Sequence, residues 1–167
     1  MKIVTNKFIP FERFGAMNIL GFIFTRKNAK DITLRTKRHE QIHTYQQYEL
    51  LMIGAIVSLV LCNIFASWWY LLGVILIPFV FYITSFLIEM AIPPYHNLSF
   101  DFRKGEGIVV KVQKIWAVIM KIWMDAYEDN CFEREAYFND TEVNYLATRS
   151  LFGWVGYIIP RDKRKGK

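Results

Sequence analysis

The segment Arg38–Leu51, which reads R-H-E-Q-I-H-T-Y-Q-Q-Y-E-L-L, decides how the rest of the chain can be arranged. It contains His39, Glu40 and His43 in the order H-E-x-x-H, and an uncharged apolar block, Leu50–Ile88, continues from its last residues. Residues four apart on a helix lie on one face, so the two histidines can direct their imidazoles at one metal ion. The segment therefore joins a candidate metal site to a long apolar region.

The apolar block is long enough for two membrane spans, since a spanning helix takes about 20 apolar residues. We expect transmembrane helices at 50–66 and 71–88, with a tight turn at Ser67–Tyr70, because tandem aromatic residues suit the headgroup region. Pro78 would kink the second span, which membrane helices tolerate. The alternative is a buried hairpin of a soluble protein. The uncharged length and the absence of an amphipathic pattern argue against it.

The distribution of charge supports a membrane protein. The net charge is +6, and the cations flank the apolar block in three groups, Arg26–Arg38, Arg103–Lys121 and Arg161–Lys167. This is the pattern of the positive-inside rule. It predicts a multi-pass protein of the cell inner membrane, with both termini and the metal site in the cytoplasm. It argues against nucleic acid as a partner. The two cysteines, Cys62 and Cys131, do not suggest a disulfide framework.

The fold class expected from these patterns is a mainly α membrane protein with a short N-terminal β-hairpin, built as one membrane-associated domain. Within the β-rich first 36 residues, we predict strands at Ala16–Thr25 and Ile32–Arg35 with a turn at Lys27–Asp31. Thr36 would cap the motif helix, 37–49. No proline follows until Pro78, so this helix can run without a break into the first span.

The second half of the chain predicts two further helices. An amphipathic helix at 108–127 carries lysines on one side and apolar residues on the other. It fits both a helix in the membrane interface and one packed on its own domain. A loop at 97–107 precedes this helix. A polar helix at 130–149 follows it, and a basic tail occupies 160–167.

The H-E-x-x-H motif favours zinc (Zn2+) chemistry. Imidazole is a good zinc ligand, and Glu40 lies one residue round the helix, where a carboxylate can accept a proton from an attacking water. A catalytic zinc site also needs a third protein ligand and an open position. Five downstream residues are candidates for that ligand: Glu133, Glu135, His96, Cys131 and Asp140.

The segment F-E-R-E-A-Y, Phe132–Tyr137, resembles the E-x-x-A-D element of the gluzincin metallopeptidases, whose membrane-embedded members place the motif helix beside membrane spans. The resemblance implies that Glu133 is the third zinc ligand and Ala136 the small residue that lets the helices approach. It also implies that Glu40 is the general base in peptide-bond hydrolysis. Tyr137 stands where the family has an acidic residue that supports a histidine.

Glu135 is the alternative third ligand. It lies roughly 200° from Glu133 around a helix, so only one of the two can face the metal. If Glu135 were the ligand, Asn139 would take the supporting place. Otherwise Tyr137 or Asp140 would support a histidine.

A second resemblance covers most of the chain. The N-terminal elements F-I-P-F and M-N-I-L-G, together with H-E-Q-I-H-T and F-E-R-E-A-Y, resemble an uncharacterised family of small bacterial membrane proteins. This resemblance implies no particular activity.

Three functional hypotheses follow. The first is an integral-membrane zinc metallopeptidase that hydrolyses a peptide or membrane-protein substrate. Leu50 is seven residues beyond His43, or roughly 10 Å along a helix, which places such substrates near the membrane surface. The second is a non-catalytic scaffold or partner-binding protein that zinc stabilises. The third is a small membrane hairpin protein without a metal, in which the two histidines are incidental.

Gln46 and Gln47 lie one turn beyond His43. One of them could hydrogen-bond to the glutamate helix or to substrate, and the alternative is an ordinary polar helix face.

Overall fold

One long helix organises the chain. The computed structural model describes residues 2–8, 15–26, 28, 31–91 and 107–158. The fold is mainly helical, with a small three-stranded sheet at the N-terminus. The predicted basic tail at 160–167, His96 and all of the predicted 97–107 loop except Gly107 lie outside the described residues.

The sheet contains strands β1 (Lys2–Thr5), β2 (Ala16–Ile19) and β3 (Phe22–Thr25) in the order β1-β3-β2. β2 and β3 are antiparallel, and β1 pairs with β3 in parallel. Leu20 and Gly21 both have positive φ, 49° and 86°. Two such residues suit the tight turn of a two-residue hairpin.

The hairpin was predicted at the wrong place in the sequence. The stretch predicted as one strand, Ala16–Thr25, folds back on itself at Leu20-Gly21 to give both β2 and β3. The predicted second strand, Ile32–Arg35, instead enters a helix. The cap was also placed three residues late, because the hydroxyl of Thr33, not Thr36, accepts the backbone N–H of Thr36 at 3.1 Å.

Helix α1 spans Leu34–Phe65, 32 residues without a break. This length corresponds to about 48 Å. It ends at Ala66, which adopts a left-handed conformation with φ of 48°. The motif helix and the first apolar segment are therefore one rigid element, as the absence of proline predicts.

Helix α2 spans Gly73–Ala91 and contains Pro78. The predicted turn before it is a short 3-10 helix, Trp68–Leu72, in which the rings of Trp68 and Trp69 stack with centroids 4.3 Å apart. Both α1 and the segment Trp68–Ala91 are long and apolar enough to cross a membrane. Of their most apolar 18-residue windows, only 22% of the first and none of the second is buried. Soluble monomers rarely expose apolar surface on this scale.

Helix α3 spans Ile108–Asp129, two residues longer than the predicted amphipathic helix. Its C-terminal half packs on α2, where the rings of Trp123 and Phe86 lie 5.8 Å apart. Most apolar side chains in residues 108–119 are exposed: Ile108, Val109, Val110, Val112, Ile115, Trp116 and Ile119. Packing within the domain thus accounts for only half of the apolar face.

Helix α4 is much shorter than the predicted helix at 130–149. It spans Cys131–Asn139, and Asn130 caps it by accepting the backbone N–H of Phe132 at 3.0 Å. The chain then turns, and a single helical turn, α5 (Tyr145–Thr148), and a 3-10 helix, Gly153–Tyr157, follow. Short polar side chains between 139 and 144 compete with helical hydrogen bonds. The break allows the chain after α5 to return to α4.

The buried core lies where α1, α4 and the last 3-10 helix meet. It consists of Leu50, Cys131, Phe132 and Trp154, with Tyr82 of α2 packed against it. This core holds α4 against α1 at the level where α1 changes from polar to apolar.

The contact between α1 and α2 depends on Gly54. A Cβ at this position would lie 2.8 Å from the backbone oxygen of Val74 and 3.3 Å from that of Gly73. We expect Gly54→Ala to force the helices apart and to lower the free energy of unfolding by about 1–3 kcal/mol, the usual cost of overpacking. Thermal unfolding in detergent, followed by tryptophan fluorescence, measures this. Gly156→Ala is the control, since a Cβ there meets nothing within 4 Å. Equal melting temperatures for the two variants would contradict the prediction.

Candidate metal centre

The two motif histidines lie side by side near the N-terminal end of α1. Their rings meet edge-on with centroids 4.7 Å apart, and the two Nε2 atoms are 3.1 Å from each other. The side chains remain 13% and 15% exposed, so one side of the pair opens to solvent. Two ring nitrogens at this separation can share either a proton or a metal ion.

Helix α4 adds a carboxylate to the pair. Glu133 lies in its first turn, where the helix dipole favours negative charge. One of its oxygens is 3.2 Å from Nε2 of His39, and the other is 3.3 Å from Nε2 of His43. Among the residues that the structure describes, His39, His43 and Glu133 form the group able to hold a metal ion.

The spacing of this group fits a metal ion. One ligand atom from each side chain can be chosen so that all three atoms lie within 4.8 Å of one another. The two Nε2 atoms are 3.1 Å apart, and each lies 3.2–3.3 Å from a different oxygen of Glu133. Apart from its 3.2 Å contact with Nε2 of His39, the buried Glu133 Oε2 has no hydrogen-bond partner among the described residues. A cation between the three side chains would satisfy it. Two imidazoles and one carboxylate are also the ligand types that zinc prefers at open sites.

Protons and a metal ion compete for this group. Burial alone would lower the pKa of His43, but the charge of Glu133 and its hydrogen bond, together with the charge of Glu40 and the hydrogen bond to Gln46, outweigh burial and raise the pKa to about 9. Burial alone would raise the pKa of Glu133, yet the positive charge of His43 and the contacts with both imidazoles hold it well below its usual value. A metal ion binding near neutral pH must therefore displace a proton from His43.

Glu40 lies next to the metal group but outside it. Its side chain is buried, and burial raises its pKa against the opposing charges of His43 and His39. The backbone oxygen of Glu40 accepts hydrogen bonds from the Asn18 amide and the Thr44 hydroxyl. Strand β2 is thereby attached to α1 at the motif.

The structure directs Glu135 away from the histidines. Its carboxylate accepts hydrogen bonds from Gln46 Nε2 at 2.8 Å, Tyr145 at 2.8 Å and Arg149 Nε at 2.5 Å. Arg149 also donates to Glu49, the last acidic residue before the apolar block. Both carboxylates thus have a partner other than a metal.

Two of the remaining third-ligand candidates also lie outside the group of three. Cys131 is in the core, where burial raises the pKa of its thiol to about 11. Asp140 pairs with Arg35 at 2.8 Å and lies 3.9 Å from Nδ1 of His39, and the Tyr137 ring packs 4.6 Å from the His39 ring. The carboxylate on the Nδ1 side of His39 therefore belongs to Asp140, about one helical turn beyond position 137, where the gluzincins have their acidic residue.

Two contributing residues had not been singled out from the sequence. The Tyr127 hydroxyl, on α3, hydrogen-bonds to Glu133, and burial together with the charge of Glu133 raises its pKa. Arg149 bridges Glu49 and Glu135. No sequence feature indicates Tyr127. For Arg149 there was a signal, because an acidic residue beside an apolar block, here Glu49, needs a buried cation as its partner. Of the two glutamines, Gln46 reaches α4 and Gln47 reaches β2.

Comparison with protein-family models, curated proteins and solved structures gave no match. The chemistry of the site therefore rests on the residues themselves.

We expect the purified chain to bind one zinc ion. His39→Ala, His43→Ala and Glu133→Ala should each abolish binding, because each removes one of three ligands. Glu135→Gln should retain the ion, since its partners are Gln46, Tyr145 and Arg149. Elemental analysis of protein freed of loose metal by gel filtration measures the ratio. Glu142→Ala, at an exposed acidic residue of the same region, is the control. A zinc content near zero in the wild type would exclude the site, and loss of zinc only in Glu135→Gln would move the ligand to that residue.

Proposed function

We propose that this protein is an integral-membrane zinc metallopeptidase that hydrolyses peptide bonds near the membrane surface. The observation that carries the proposal is the convergence of His39, His43 and Glu133, with Glu40 beside them. Three protein ligands leave a fourth position open for water or substrate, which is the arrangement of a catalytic rather than a structural zinc site. The resemblance of both motif segments to the gluzincins supports the same reading.

Each residue has a defined task in this proposal. His39, His43 and Glu133 would hold zinc, which lowers the pKa of a bound water towards about 7 and polarises a substrate carbonyl. Glu40 accepts the proton that the attacking water loses and returns it to the leaving amine. Its raised pKa suits this exchange, because a general base works best when its pKa is near the working pH.

The membrane determines which substrates are in reach. His39 and His43 are carried by the same unbroken helix as the apolar segment after Leu50, so the site is held about 10 Å from the start of that segment. Substrates would be extended peptide segments of membrane proteins, or peptides at the bilayer surface. Nucleic acid is not proposed as a partner.

The second candidate is a zinc-stabilised scaffold or partner-binding protein without catalysis. One observation favours it: Tyr137 stands where the gluzincins have an acid, and the Asp140 carboxylate lies 3.9 Å from Nδ1 of His39, beyond hydrogen-bond range. Under this reading zinc mainly ties α4 to α1. Removing zinc would then lower the melting temperature, and Glu40 would be dispensable.

Replacement of Glu40 by Gln separates the two candidates. For a peptidase, Glu40→Gln retains stoichiometric zinc but loses about 10²- to 10⁴-fold in hydrolysis rate, the usual contribution of a general base. Cleavage of a reconstituted membrane-protein substrate, monitored by mass spectrometry, provides the rate. Gln41→Glu, which adds a carboxylate at the neighbouring position, is the control and should keep wild-type activity. Equal rates for the wild type and Glu40→Gln, with zinc present in both, would favour the scaffold.

The proposed topology places both termini and the metal site in the cytoplasm, with the protein in the cell inner membrane. The cationic groups flank both ends of the apolar block, and the turn around Trp68–Leu72 carries no charge, as the positive-inside rule requires. We expect a C-terminal fusion to a reporter active only in the periplasm to be silent, and the same reporter inserted after Ser67 to be active. The reverse pair of signals would invert the topology.

A further inference from the structure

Gln46 connects the imidazole pair to α4. Its side chain is only 2% exposed. Its Nε2 donates to the backbone oxygen of Phe132 at 3.0 Å and to Glu135 Oε2 at 2.8 Å, while its Oε1 lies 2.7 Å from Nδ1 of His43. All three contacts of this amide are thus within hydrogen-bond range.

The chemistry of the partners fixes the orientation of the amide. A backbone carbonyl can only accept a hydrogen bond, and so can an ionised carboxylate. The end of Gln46 that faces Phe132 and Glu135 must therefore be its NH₂ group, and the end that faces His43 must be its carbonyl oxygen. Turning the amide over would set its oxygen against both acceptors.

Glu135 is itself held in place by a buried cation. It is fully buried, and Arg149 contributes two hydrogen bonds to it, from Nε at 2.5 Å and from the second terminal nitrogen at 3.2 Å. Arg149 is in turn bonded to Glu49 on α1. The orientation of Gln46 is thus set by a buried charge network that lies outside the metal group.

The orientation of Gln46 determines the tautomer of His43. Facing a carbonyl oxygen, Nδ1 of His43 must be the donor. A neutral imidazole carries one N–H, so the lone pair is then on Nε2, the atom that faces His39 and Glu133. That is the atom a metal ion needs.

We propose that Gln46 is a positioning residue for the metal, which holds His43 in the tautomer that presents Nε2 to the ion. This inference rests on the zinc site of the proposed function but not on peptidase activity. Metal-ligating histidines normally donate their other N–H to an acceptor, and loss of that acceptor weakens metal binding. Here an amide oxygen from the same helix takes the part that a carboxylate often plays.

Nuclear magnetic resonance tests the tautomer directly. The full-length chain in detergent micelles, with ¹⁵N-labelled histidine, is measured zinc-loaded and then metal-free at a pH where the imidazoles are neutral. We expect His43 to carry its proton on Nδ1 in both states, with slow exchange against solvent. A His43→Ala spectrum assigns the signal. A neutral His43 that carries its proton on Nε2 and none on Nδ1 in the metal-free wild type would overturn the inference.

Substitution tests the consequence for binding. Gln46→Met keeps the length of the side chain but removes the acceptor, and we expect its zinc Kd to rise by about 10- to 100-fold. Gln47→Met is the matched control. It removes the same group one position along α1, where the partners of Gln47 among the described residues belong to β2 and its turn, the Asn18 oxygen and the Leu20 N–H. Its zinc affinity should equal that of the wild type, even if its stability falls.

The outcomes separate this inference from the proposed function. Equal zinc affinities for Gln46→Met and the wild type would overturn the role of Gln46 and leave the metal site intact. Zinc binding with the expected Gln46 effect, but without peptide hydrolysis, would support the role and count against the peptidase. A wild type that binds no zinc would overturn both.

Discussion

The contact of the Glu133 carboxylate with the imidazoles of His39 and His43 is the interaction on which the arrangement of the helices depends. A carboxylate with 4% of its side chain exposed cannot remain charged without a compensating partner. The imidazole pair is that partner, and a proton or a metal ion between the groups completes the balance. Because Glu133 is in the first turn of α4, satisfying its charge also fixes where α4 meets α1.

A second buried charge network acts at the other side of the same interface. Arg149 links Glu49 on α1 to Glu135 on α4, and Gln46 passes from this network to His43. Buried ion pairs are weak contributors to net stability, but removing one partner of such a pair is costly. The two networks therefore specify one mutual position of α1 and α4, with the histidines on one side and the core residues Leu50, Phe132 and Trp154 beneath.

The continuity of α1 fixes the distance between the candidate metal site and the apolar segment. A 32-residue helix that carries the ligands in its first turns and an uncharged apolar segment in its remainder cannot change the distance between the two without breaking. In the proposed peptidase, this fixed distance would select substrates by where they lie relative to the apolar segment. The same rigidity would serve a scaffold, in which zinc ties α4 to a fixed height above the apolar segment.

The sequence by itself determined the elements whose cause is local. Spacing put His39 and His43 on one helix face, the absence of proline joined the motif to the first apolar helix, and the uncharged block gave two helices long enough to cross a membrane. Local pattern misplaced the hairpin, because Gly21 alone did not mark the turn at Leu20-Gly21, where Gln47 accepts the backbone N–H of Leu20. It also overextended α4.

Only the tertiary structure decided which groups meet across the chain. From the sequence alone, Glu133 and Glu135 are equally suitable metal ligands. Their roughly 200° separation on a helix required one of them to face away from the histidines. Arg149, 14 positions beyond Glu135, pairs with the Glu135 carboxylate. Glu133 is therefore the glutamate that contacts the two histidines. Long-range charge pairing of this kind has no period and no local propensity, so it appears only when the helices are packed.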